Sequence, residues 1–294
     1  MSEPLLDVRG LRKVYASQAG RGHLVTAADD VSFHVLPGET FGLVGESGCG
    51  KSTVARCIMR LIEPTGGEVW FEGEELVRLN PNRLRPLRRR MQMVFQDPYS
   101  SLDPRMTIRA SLLEPLEIHR VGSRAEREAR VRELIGMVGL PESALAKYPH
   151  EFSGGQRQRV GIARALALSP RLVIADEPVS ALDLSIRAQV INLMADLQRQ
   201  LGLAYLFIAH DLTLVRHVCH RVAVMSRGRI VEIADTEALF RSPTHPYTRR
   251  LLASIPIPDP HQRDHPRPEP EAEEQETGAA LPLVEIAPGH LARV

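Results

Sequence analysis

The sequence predicts an α/β fold with a mainly parallel sheet, and three observations support this. Short apolar runs with the length of buried strands, such as 172–175 and 203–209, alternate with longer stretches of helical periodicity. Such alternation is typical of a parallel sheet covered by helices. A glycine-rich segment, 45–52, joins a predicted strand at 40–44 to a predicted helix. Polar residues directly follow several predicted strands, where open α/β sheets bind their ligands.

The N-terminal part has the alternating pattern of half-buried strands. Apolar and polar residues alternate over 5–11 and 31–35, and 68–72 is a further predicted strand. A polar, glycine-containing loop, 17–23, separates the first two. We therefore expect an N-terminal antiparallel β part. Tyr15 closes its first segment, where an aromatic ring is equally compatible with stacking on a base and with packing at a strand end.

The middle of the chain is predicted to be helical. Residues 100–150 have helical character, and Ser123 with Glu126 fits a capping box for a helix that ends near Gly139. The preceding basic run, 83–90, is short, contains a proline and has no interleaved aromatic residues. It is interpreted as a solvated face instead of a nucleic-acid patch.

The second half of the chain adds further strands and helices. Ser153 with Gln156 fits a second capping box, for a helix predicted to end near residue 168. An amphipathic helix is predicted over 185–201, and two short apolar strands predict a hairpin over 222–233.

Composition restricts the class of protein. The 294 residues carry a net charge of +1, so no overall field attracts the chain to nucleic acid or to an anionic membrane. None of the three cysteines (Cys49, Cys57 and Cys219) stands in CxxC spacing, so neither a zinc site nor a disulfide framework is expected. We expect no signal peptide and no membrane span, because the apolar runs are too short. Prolines and acidic residues predict a largely disordered tail after about residue 259.

A phosphate-binding loop is predicted at Gly45-Glu46-Ser47-Gly48-Cys49-Gly50-Lys51-Ser52, which fits G-x-x-x-x-G-K-[ST]. Its glycines allow backbone N–H groups to approach phosphate oxygens. The helix that follows, from about Thr53, adds partial positive charge at its N-terminus. Lys51 is expected to reach the β- and γ-phosphates, and the Ser52 hydroxyl to bind Mg²⁺. These features predict a P-loop NTPase.

Other strand ends supply the predicted catalytic groups. Asp176 ends an apolar strand, as does the carboxylate that holds Mg²⁺ in P-loop NTPases. Glu177 is placed to polarise the attacking water. Gln96 is a candidate to hold the metal or the water, and His210 to donate to the γ-phosphate. A lone histidine is usually structural, so the case for His210 depends on its position at a strand end.

The segment Ser153-Gly154-Gly155-Gln156 forms a second helix N-terminus that suits an anion. One nucleotide does not obviously need two such helices from the same chain. A head-to-tail dimer resolves this, because each subunit could offer its Ser153 helix to the nucleotide of the other. A small-molecule P-loop kinase, by contrast, leaves this segment without a role.

Together these residues resemble the ATP-binding cassette (ABC) ATPases, whose core is a RecA-like P-loop NTPase. Residues 152–156 look like the family signature, with Phe152 where leucine is usual. The other family motifs match at Tyr15 (the aromatic that stacks on adenine), Gly45–Ser52 (Walker A), Gln96 (Q-loop), 172–177 (Walker B), 180–183 (D-loop) and His210 (H-loop).

The resemblance implies a dimer that closes on two ATP and opens after hydrolysis. It covers about residues 5–240 and implies an ABC ATPase domain over 1–241, a helical subdomain over 97–160 that contacts membrane subunits, and a C-terminal extension over 242–294. The implied catalytic residues are Glu177, His210, Gln96 and Lys51. The implied Mg²⁺ ligands are Ser52, Gln96 and Asp176. ATP is expected to contact Tyr15, the loop residues Gly45 to Thr53 and, across the dimer, Ser153, Gly154, Gly155, Gln156 and Asp183.

A narrower resemblance is to the oligopeptide/dipeptide importer ATPases, a group that includes nickel importers. It rests on the loop sequence, on 96–102 (Gln-Asp-Pro-Tyr-Ser-Ser-Leu) and on 242–248 (Ser-Pro-Thr-His-Pro-Tyr-Thr). It implies a peripheral subunit on the cytoplasmic side of the inner membrane. The implied partners are a second, non-identical ABC ATPase, two transmembrane permease subunits and, indirectly, an extracytoplasmic solute-binding protein. The tail has no cysteine after Cys219, so no iron–sulfur cluster is expected.

Two alternatives remain at this stage. The cargo could be nickel or another small solute, because other subunits recognise it. A soluble ABC ATPase that acts on DNA or ribosomes is disfavoured, because no coiled-coil insertion or second cassette is visible and the net charge of +1 offers nucleic acid no footprint.

Overall fold

The computed structural model describes residues 3–16, 24–97, 101–254 and 281–293. Its strands are β1 (Leu6–Ala16), β2 (Leu24–Val35), β3 (Thr40–Val44), β4 (Gly66–Phe71), β5 (Glu74–Glu75), β6 (Met91–Val94), β7 (Leu172–Asp176), β8 (Ala204–Ala209), β9 (Arg221–Ser226), β10 (Arg229–Asp235), β11 (Leu283–Ala287) and β12 (His290–Arg293). Its helices are α1 (Lys51–Ile58), α2 (Pro81–Arg90), α3 (Ile108–Ile118), α4 (Arg124–Met137), α5 (Gly154–Leu166), α6 (Leu184–Leu201), α7 (Leu212–Val218), α8 (Thr236–Arg241) and α9 (Pro246–Ala253). Short 3₁₀ turns occupy Glu142–Ala146 and Pro149–Glu151.

The larger sheet has the strand order β11-β12-β10-β9-β3-β8-β7-β6. Every neighbouring pair from β9 to β6 is parallel. The strands β10, β12 and β11 are added antiparallel at one edge. The predicted α/β fold with a mainly parallel sheet is therefore confirmed, and so is the predicted hairpin of β9 and β10.

The smaller sheet is antiparallel throughout, in the order β2-β1-β4-β5. It confirms the predicted N-terminal β part. Strand β1 continues past the alternating stretch 5–11 to Ala16, one residue beyond the predicted segment end at Tyr15, and its pairing with β2 is irregular after Val8. Gly10 lies in this irregular stretch with φ +54°, a conformation that glycine adopts without strain. The predicted loop at 17–23 lies outside the described residues.

The central parallel strands β3, β7 and β8 of the larger sheet are buried on both faces, which explains their mostly apolar character. In β8, Tyr205, Phe207 and Ala209 join a cluster with the helices α3 to α6. The intervening Leu206 and Ile208 join a second cluster with α1 and the smaller sheet. The period of two along each strand thus assigns alternate side chains to two separate cores.

Both predicted capping boxes are present. Ser123 and Glu126 cap α4 through reciprocal backbone bonds, and Ser153 and Gln156 do the same for α5. The division of the chain into an ATPase domain and a helical subdomain over 97–160 stays a prediction, and residues 98–100 lie outside the described ranges. Within those ranges, no helix combines the length and the apolar character that a membrane span needs.

The basic run before β6 is helical, which its sequence did not predict. Its residues belong to α2, which Asn80 caps by accepting a hydrogen bond from the backbone of Arg83. Leu84 and Leu87 are buried, while most of the arginines are exposed. An internal proline, Pro86, obscured the helical periodicity, although the interpretation as a solvated face agrees with the exposure.

The end of the chain corrects one expectation. Disorder was predicted after about residue 259, but β11 and β12 form a hairpin that pairs with β10 through Glu232–Ala292 and Ile233–Leu291. Proline and acidic residues dominate the composition of the tail, and these two strands are too short and too irregular in polarity to be recognised from sequence. Residues 255–280 lie outside the described ranges, so the expectation stays a prediction there.

Phe41 offers a test of the packing between the two sheets. Its side chain is fully buried in β3, stacks on Phe33 with ring centroids 5.1 Å apart, and lies 5.3 Å from the Arg221 guanidinium. We expect Phe41→Ala to lower the free energy of unfolding by about 3–5 kcal/mol, because it leaves a cavity. Urea denaturation measures this. The exposed Leu24 is the control, since Leu24→Ala should change stability by less than about 0.5 kcal/mol. Equal effects of the two substitutions would contradict the packing described.

Candidate functional site

The predicted site residues meet at the carboxyl edge of the parallel strands. The loop 45–50 follows β3, Gln96 lies just beyond β6, and His210 follows β8. Asp176 is the last residue of β7, and Glu177 comes next. Because these strands are parallel neighbours, their carboxyl ends share one edge of the sheet. Hydrogen bonds between the side chains join most of these residues directly.

The glycines of the loop allow backbone to pack on backbone. A Cβ atom on Gly45 would stand 2.1 Å from the carbonyl oxygen of Met225, and one on Gly50 would stand 1.9 Å from that of Ala27. Both glycines also have positive φ angles, +153° and +112°. No other residue type fits at either position without moving β9 or β2. This explains the two outer glycines of the pattern, whereas Gly48 has φ +84° and open space around it.

Lys51 is buried beneath the loop, with only 4% of its surface exposed. Its ammonium donates to the carbonyl oxygens of Gly45 (2.7 Å) and Glu46 (2.8 Å) and lies 3.8 Å from the sulfur of Cys49. An ammonium has three N–H donors, and sulfur is a weak acceptor. One donor is therefore available for a stronger acceptor, such as a phosphate oxygen, held above the loop.

Ser52 and Asp176, both predicted as Mg²⁺ ligands, are in direct contact. The Ser52 hydroxyl donates to Asp176 Oδ1 at 2.8 Å. Asp176 is almost fully buried, and this burial raises the pKa of its carboxyl against the opposing effect of the bond from Ser52. Positive charge beside Asp176 would offset the cost of ionising a buried carboxyl.

Glu177 is the centre of a three-residue cluster. Its Oε2 accepts a hydrogen bond from Gln96 Nε2 at 3.1 Å and lies 3.1 Å from His210 Nδ1. The Gln96 side chain therefore contacts Glu177 instead of the Ser52–Asp176 pair. Gln96 and His210 are exposed, whereas the Glu177 carboxylate is only 11% exposed. The carboxylate is thus held by residues that follow β6 and β8, the two strands on either side of β7.

The backbone of Glu177 is strained in a way that fixes its direction. Its φ of +47° lies in the left-handed region, which costs a residue other than glycine on the order of 1–2 kcal/mol. The N–H of Glu177 donates to Ile208 O, and its carbonyl accepts from both the N–H and the hydroxyl of Ser180. Backbone strain of this kind persists only where surrounding hydrogen bonds enforce it, and strained residues are concentrated at functional sites.

The second predicted anion site lies at the start of α5 and packs on α6. Ser153 and Gln156 are exposed, while Gly155 is buried. A Cβ atom on Gly155 would stand 2.3 Å from Ile186 Cγ2, and one on Gly154 would stand 3.4 Å from Leu182. The segment 153–156 therefore packs against residues 182–186. None of the described contacts joins it to the loop 45–52 of the same chain.

The segment 180–183 is held by an arginine of α6. Arg187 donates to the carbonyl oxygens of Leu182 (2.6 Å) and Ser180 (3.0 Å). Asp183 stands at the N-cap of α6 and is exposed, and the next residue, Leu184, is 81% exposed. Asp183 to Ser185 are therefore exposed, next to Leu182 and Ile186, which pack on Gly154 and Gly155.

The remaining predicted residues lie at or near the loop. Tyr15 is at the end of β1 with 36% of its surface exposed, and the Lys13 ammonium lies 4.9 Å from the ring centroid. Ser47 is exposed and Thr53 is half-buried in the first turn of α1. Cys49 is buried, and this burial raises the pKa of its thiol although Lys51 opposes the shift. These facts favour the interpretation of Cys49 as a packing cysteine with little thiolate at neutral pH.

One contact at the loop was not predicted. The hydroxyl of Tyr247, on α9, accepts a hydrogen bond from the backbone N–H of Glu46 at 3.2 Å. Tyr247 is buried, and burial raises the pKa of its hydroxyl. The only available signal was the segment 242–248 itself, which is too far along the chain for its partner to be inferred.

Two protein families match the chain. The ABC transporter family matches residues 28–180, and the oligopeptide/dipeptide transporter C-terminal region matches residues 231–280. The oligopeptide transport ATP-binding protein OppF of Bacillus subtilis is 50% identical over 99% of this chain and 96% of its own length. A putative peptide import ATP-binding protein of Brucella ovis is 54% identical over 87% of this chain and 80% of its own length.

Solved structures agree with this assignment. The ATP-binding cassette MJ0796, in a dimeric post-hydrolysis state with ADP and phosphate, has a TM-score of 0.71 and 30% identity over 79% of this chain and 98% of its own. CbiO1 of Clostridium perfringens, part of an ABC transporter complex, has a TM-score of 0.71 and 26% identity over 81% of this chain and 91% of its own. The resemblance that the sequence motifs predicted is confirmed: the chain belongs to the ABC transporter family, as an ATP-hydrolysing cassette with a C-terminal region of the oligopeptide/dipeptide transporter type.

Proposed function

We propose that the chain energises the import of di- or oligopeptides, as an ATPase subunit on the cytoplasmic face of the inner membrane. The observation that carries the ATPase part is the Gln96–Glu177–His210 cluster beside the Ser52–Asp176 pair and the loop 45–52. The peptide part is supported by the matching C-terminal region and by relatives that are named for peptide import.

In this proposal the loop binds the phosphates of ATP. The loop residues Gly45 to Thr53 surround the phosphates and present backbone N–H groups other than those of Glu46 and Cys49, which are bonded within the protein. The start of α1 adds N–H groups that have no partner within the helix. Lys51 keeps the loop closed through two carbonyl oxygens and directs its third donor at the β- and γ-phosphates. Tyr15 stacks on the adenine.

We propose that Ser52 and Asp176 hold Mg²⁺. A hydroxyl and a carboxylate are oxygen ligands of the kind that Mg²⁺ prefers, and water and phosphate oxygens would complete the shell. The ion would supply positive charge to the terminal phosphates and to the buried Asp176. Gln96 donates through its amide nitrogen to Glu177, so its amide oxygen is available to the ion or to a water.

The proposed role of Glu177 is to orient and polarise the attacking water. A fixed carboxylate with low exposure can accept a hydrogen bond from water, and a positioned base contributes about 10²–10⁴-fold to a rate. His210 sits beside Glu177 and is proposed to donate to the γ-phosphate as charge develops. Lys51 would stabilise the same charge from the side of the loop.

The partners in this proposal are a second ABC ATPase of similar but non-identical sequence and two transmembrane permease subunits. An extracytoplasmic solute-binding protein would deliver the cargo. Ser153, Gly154, Gly155, Gln156 and Asp183 are proposed to contact the ATP held by the opposite subunit. The exposure of Ser153, Gln156 and Asp183, and the packing of Gly155 on α6 away from the chain's own loop, support this role.

Glu177→Gln tests the catalytic role. We expect ATP binding to be retained and hydrolysis to fall by about 10²–10⁴-fold, because the amide keeps the shape but is a far weaker base. Phosphate release and retention of bound ATP measure the two effects. The matched control is Glu142→Gln, at an exposed glutamate that pairs with Arg132. If Glu177→Gln hydrolyses ATP like the wild type, the role assigned to Glu177 is wrong.

Ser153→Arg tests the contact across the dimer. We expect it to leave ATP binding by isolated chains unchanged and to abolish dimer-dependent hydrolysis, because the bulky side chain would occupy the interface. Equilibrium binding and steady-state hydrolysis separate the two. Ser123→Arg removes an equivalent capping box at α4 and controls for the lost cap, which costs about 1 kcal/mol. Equal hydrolysis in both variants would contradict the proposed dimer.

Uptake measurements test the peptide cargo. Cells that lack this chain should lose uptake of a labelled tripeptide and keep uptake of nickel ions, and the wild-type chain should restore the former. Complementation with Glu177→Gln should not. Loss of nickel uptake with intact peptide uptake would overturn the peptide assignment and leave the ATPase assignment in place.

A further inference from the structure

We infer that Tyr247 is a positioning residue for the phosphate loop: its hydroxyl fixes the peptide group of Glu46, so the C-terminal segment sets the loop's shape for ATP. The inference rests on the proposed phosphate-binding role of residues 45–52. It adds a residue from outside the loop to the parts that shape the ATP site.

The backbone of Glu46 is held by hydrogen bonds at both its N–H and its carbonyl group. Its N–H donates to Tyr247 Oη at 3.2 Å, and its carbonyl accepts from the Lys51 ammonium at 2.8 Å. The Glu46 side chain is exposed, and these two bonds are made by its backbone. An N–H that is bonded to α9 is not directed at a ligand. Tyr247 therefore removes the Glu46 N–H from the backbone donors that can face the phosphates, and the Glu46 carbonyl likewise occupies the Cys49 N–H at 3.3 Å.

The position of Tyr247 is itself fixed by a buried carboxylate. Glu232 of β10 is fully buried and accepts hydrogen bonds from the backbone N–H groups of Thr244 (2.8 Å) and His245 (3.0 Å). Its Oε1 also lies 2.7 Å from His290 Nε2 in the terminal hairpin. A carboxylate with several donors is a rigid anchor. It holds the start of α9 and the terminal hairpin against the same strand.

The start of α9 links the anchor at Glu232 to Tyr247. His245 is the N-cap and its Nδ1 accepts from the N–H of Tyr247 at 3.1 Å, while Pro246 occupies the first helical turn. The Tyr247 side chain is 7% exposed and lies beside the Arg250 guanidinium, 5.5 Å from the ring centroid. Neither the backbone nor the ring can easily move, so the hydroxyl is presented at one place.

Binding linkage requires that this coupling act in both directions. If the tyrosine bond makes the loop more suitable for ATP, then ATP must strengthen the docking of α9 on the loop by the same factor. The segment 242–254 is therefore expected to become more protected from hydrogen exchange when ATP binds.

Tyr247→Phe tests the inference, because it removes one hydroxyl and keeps the ring. We expect the Kd and KM for ATP to rise about threefold to tenfold, the effect of losing one neutral hydrogen bond, with kcat within about twofold of the wild type. Exchange at the Glu46 amide should accelerate. The matched control is Tyr205→Phe. This tyrosine of β8 is also buried, and its hydroxyl has no hydrogen-bond partner among the described residues. It lies near the start of β8, at the end of the strand away from the site.

The outcomes separate a positioning role from a structural one. A raised Kd together with faster Glu46 exchange in Tyr247→Phe, and neither in Tyr205→Phe, supports the inference. An unchanged Kd overturns it, even if the melting temperature falls, and so does an equal rise in Kd in both variants. If the wild type itself does not bind ATP, the proposed function fails. The exchange rate of the Glu46 amide then still decides whether Tyr247 fixes the loop.

Discussion

The site depends on direct backbone packing at two glycines of the phosphate loop. Gly45 and Gly50 lie so close to the carbonyl oxygens of Met225 and Ala27 that a single added carbon would overlap them. The loop is therefore wedged between a strand of the parallel sheet and a strand of the antiparallel one. Because both neighbours are backbone, the positions of Gly45 and Gly50 are set by the two sheets, while side chains such as Tyr247 and Lys51 hold the peptide of Glu46 between them.

The same edge of the sheet brings together groups that would be costly to bury alone. Asp176 is buried beside a hydroxyl, Glu177 is held in a left-handed conformation, and Lys51 is covered by its own loop. Each arrangement leaves capacity for a ligand: a carboxylate that gains from a cation, a carboxylate with fixed direction, and an ammonium with an available donor. A bound Mg–nucleotide would satisfy all three at once.

The parts that were predictable from sequence have short-range signals. The strand, glycine loop and helix at 40–58 are contiguous, and the capping boxes at Ser123 and Ser153 span only four residues each. The strand-end positions of Asp176 and His210 followed from apolar runs of clear length. The contacts of Tyr247 with Glu46 and of Glu232 with His290 join residues 201 and 58 positions apart. No local pattern encodes such partners, and a composition averaged over the tail hid the terminal hairpin.

The terminal hairpin also determines which strand ends the sheet. Strand β10 is mostly buried, and without β12 its unpaired side would be open to strands of other molecules. With the hairpin in place the outermost strand is β11, which is only five residues long and carries Glu285 at its centre. A chain shortened at residue 254 would thus lose the short, charged edge strand β11 and expose β10 as the edge of the sheet. Self-association through this edge would compete with assembly into a transporter.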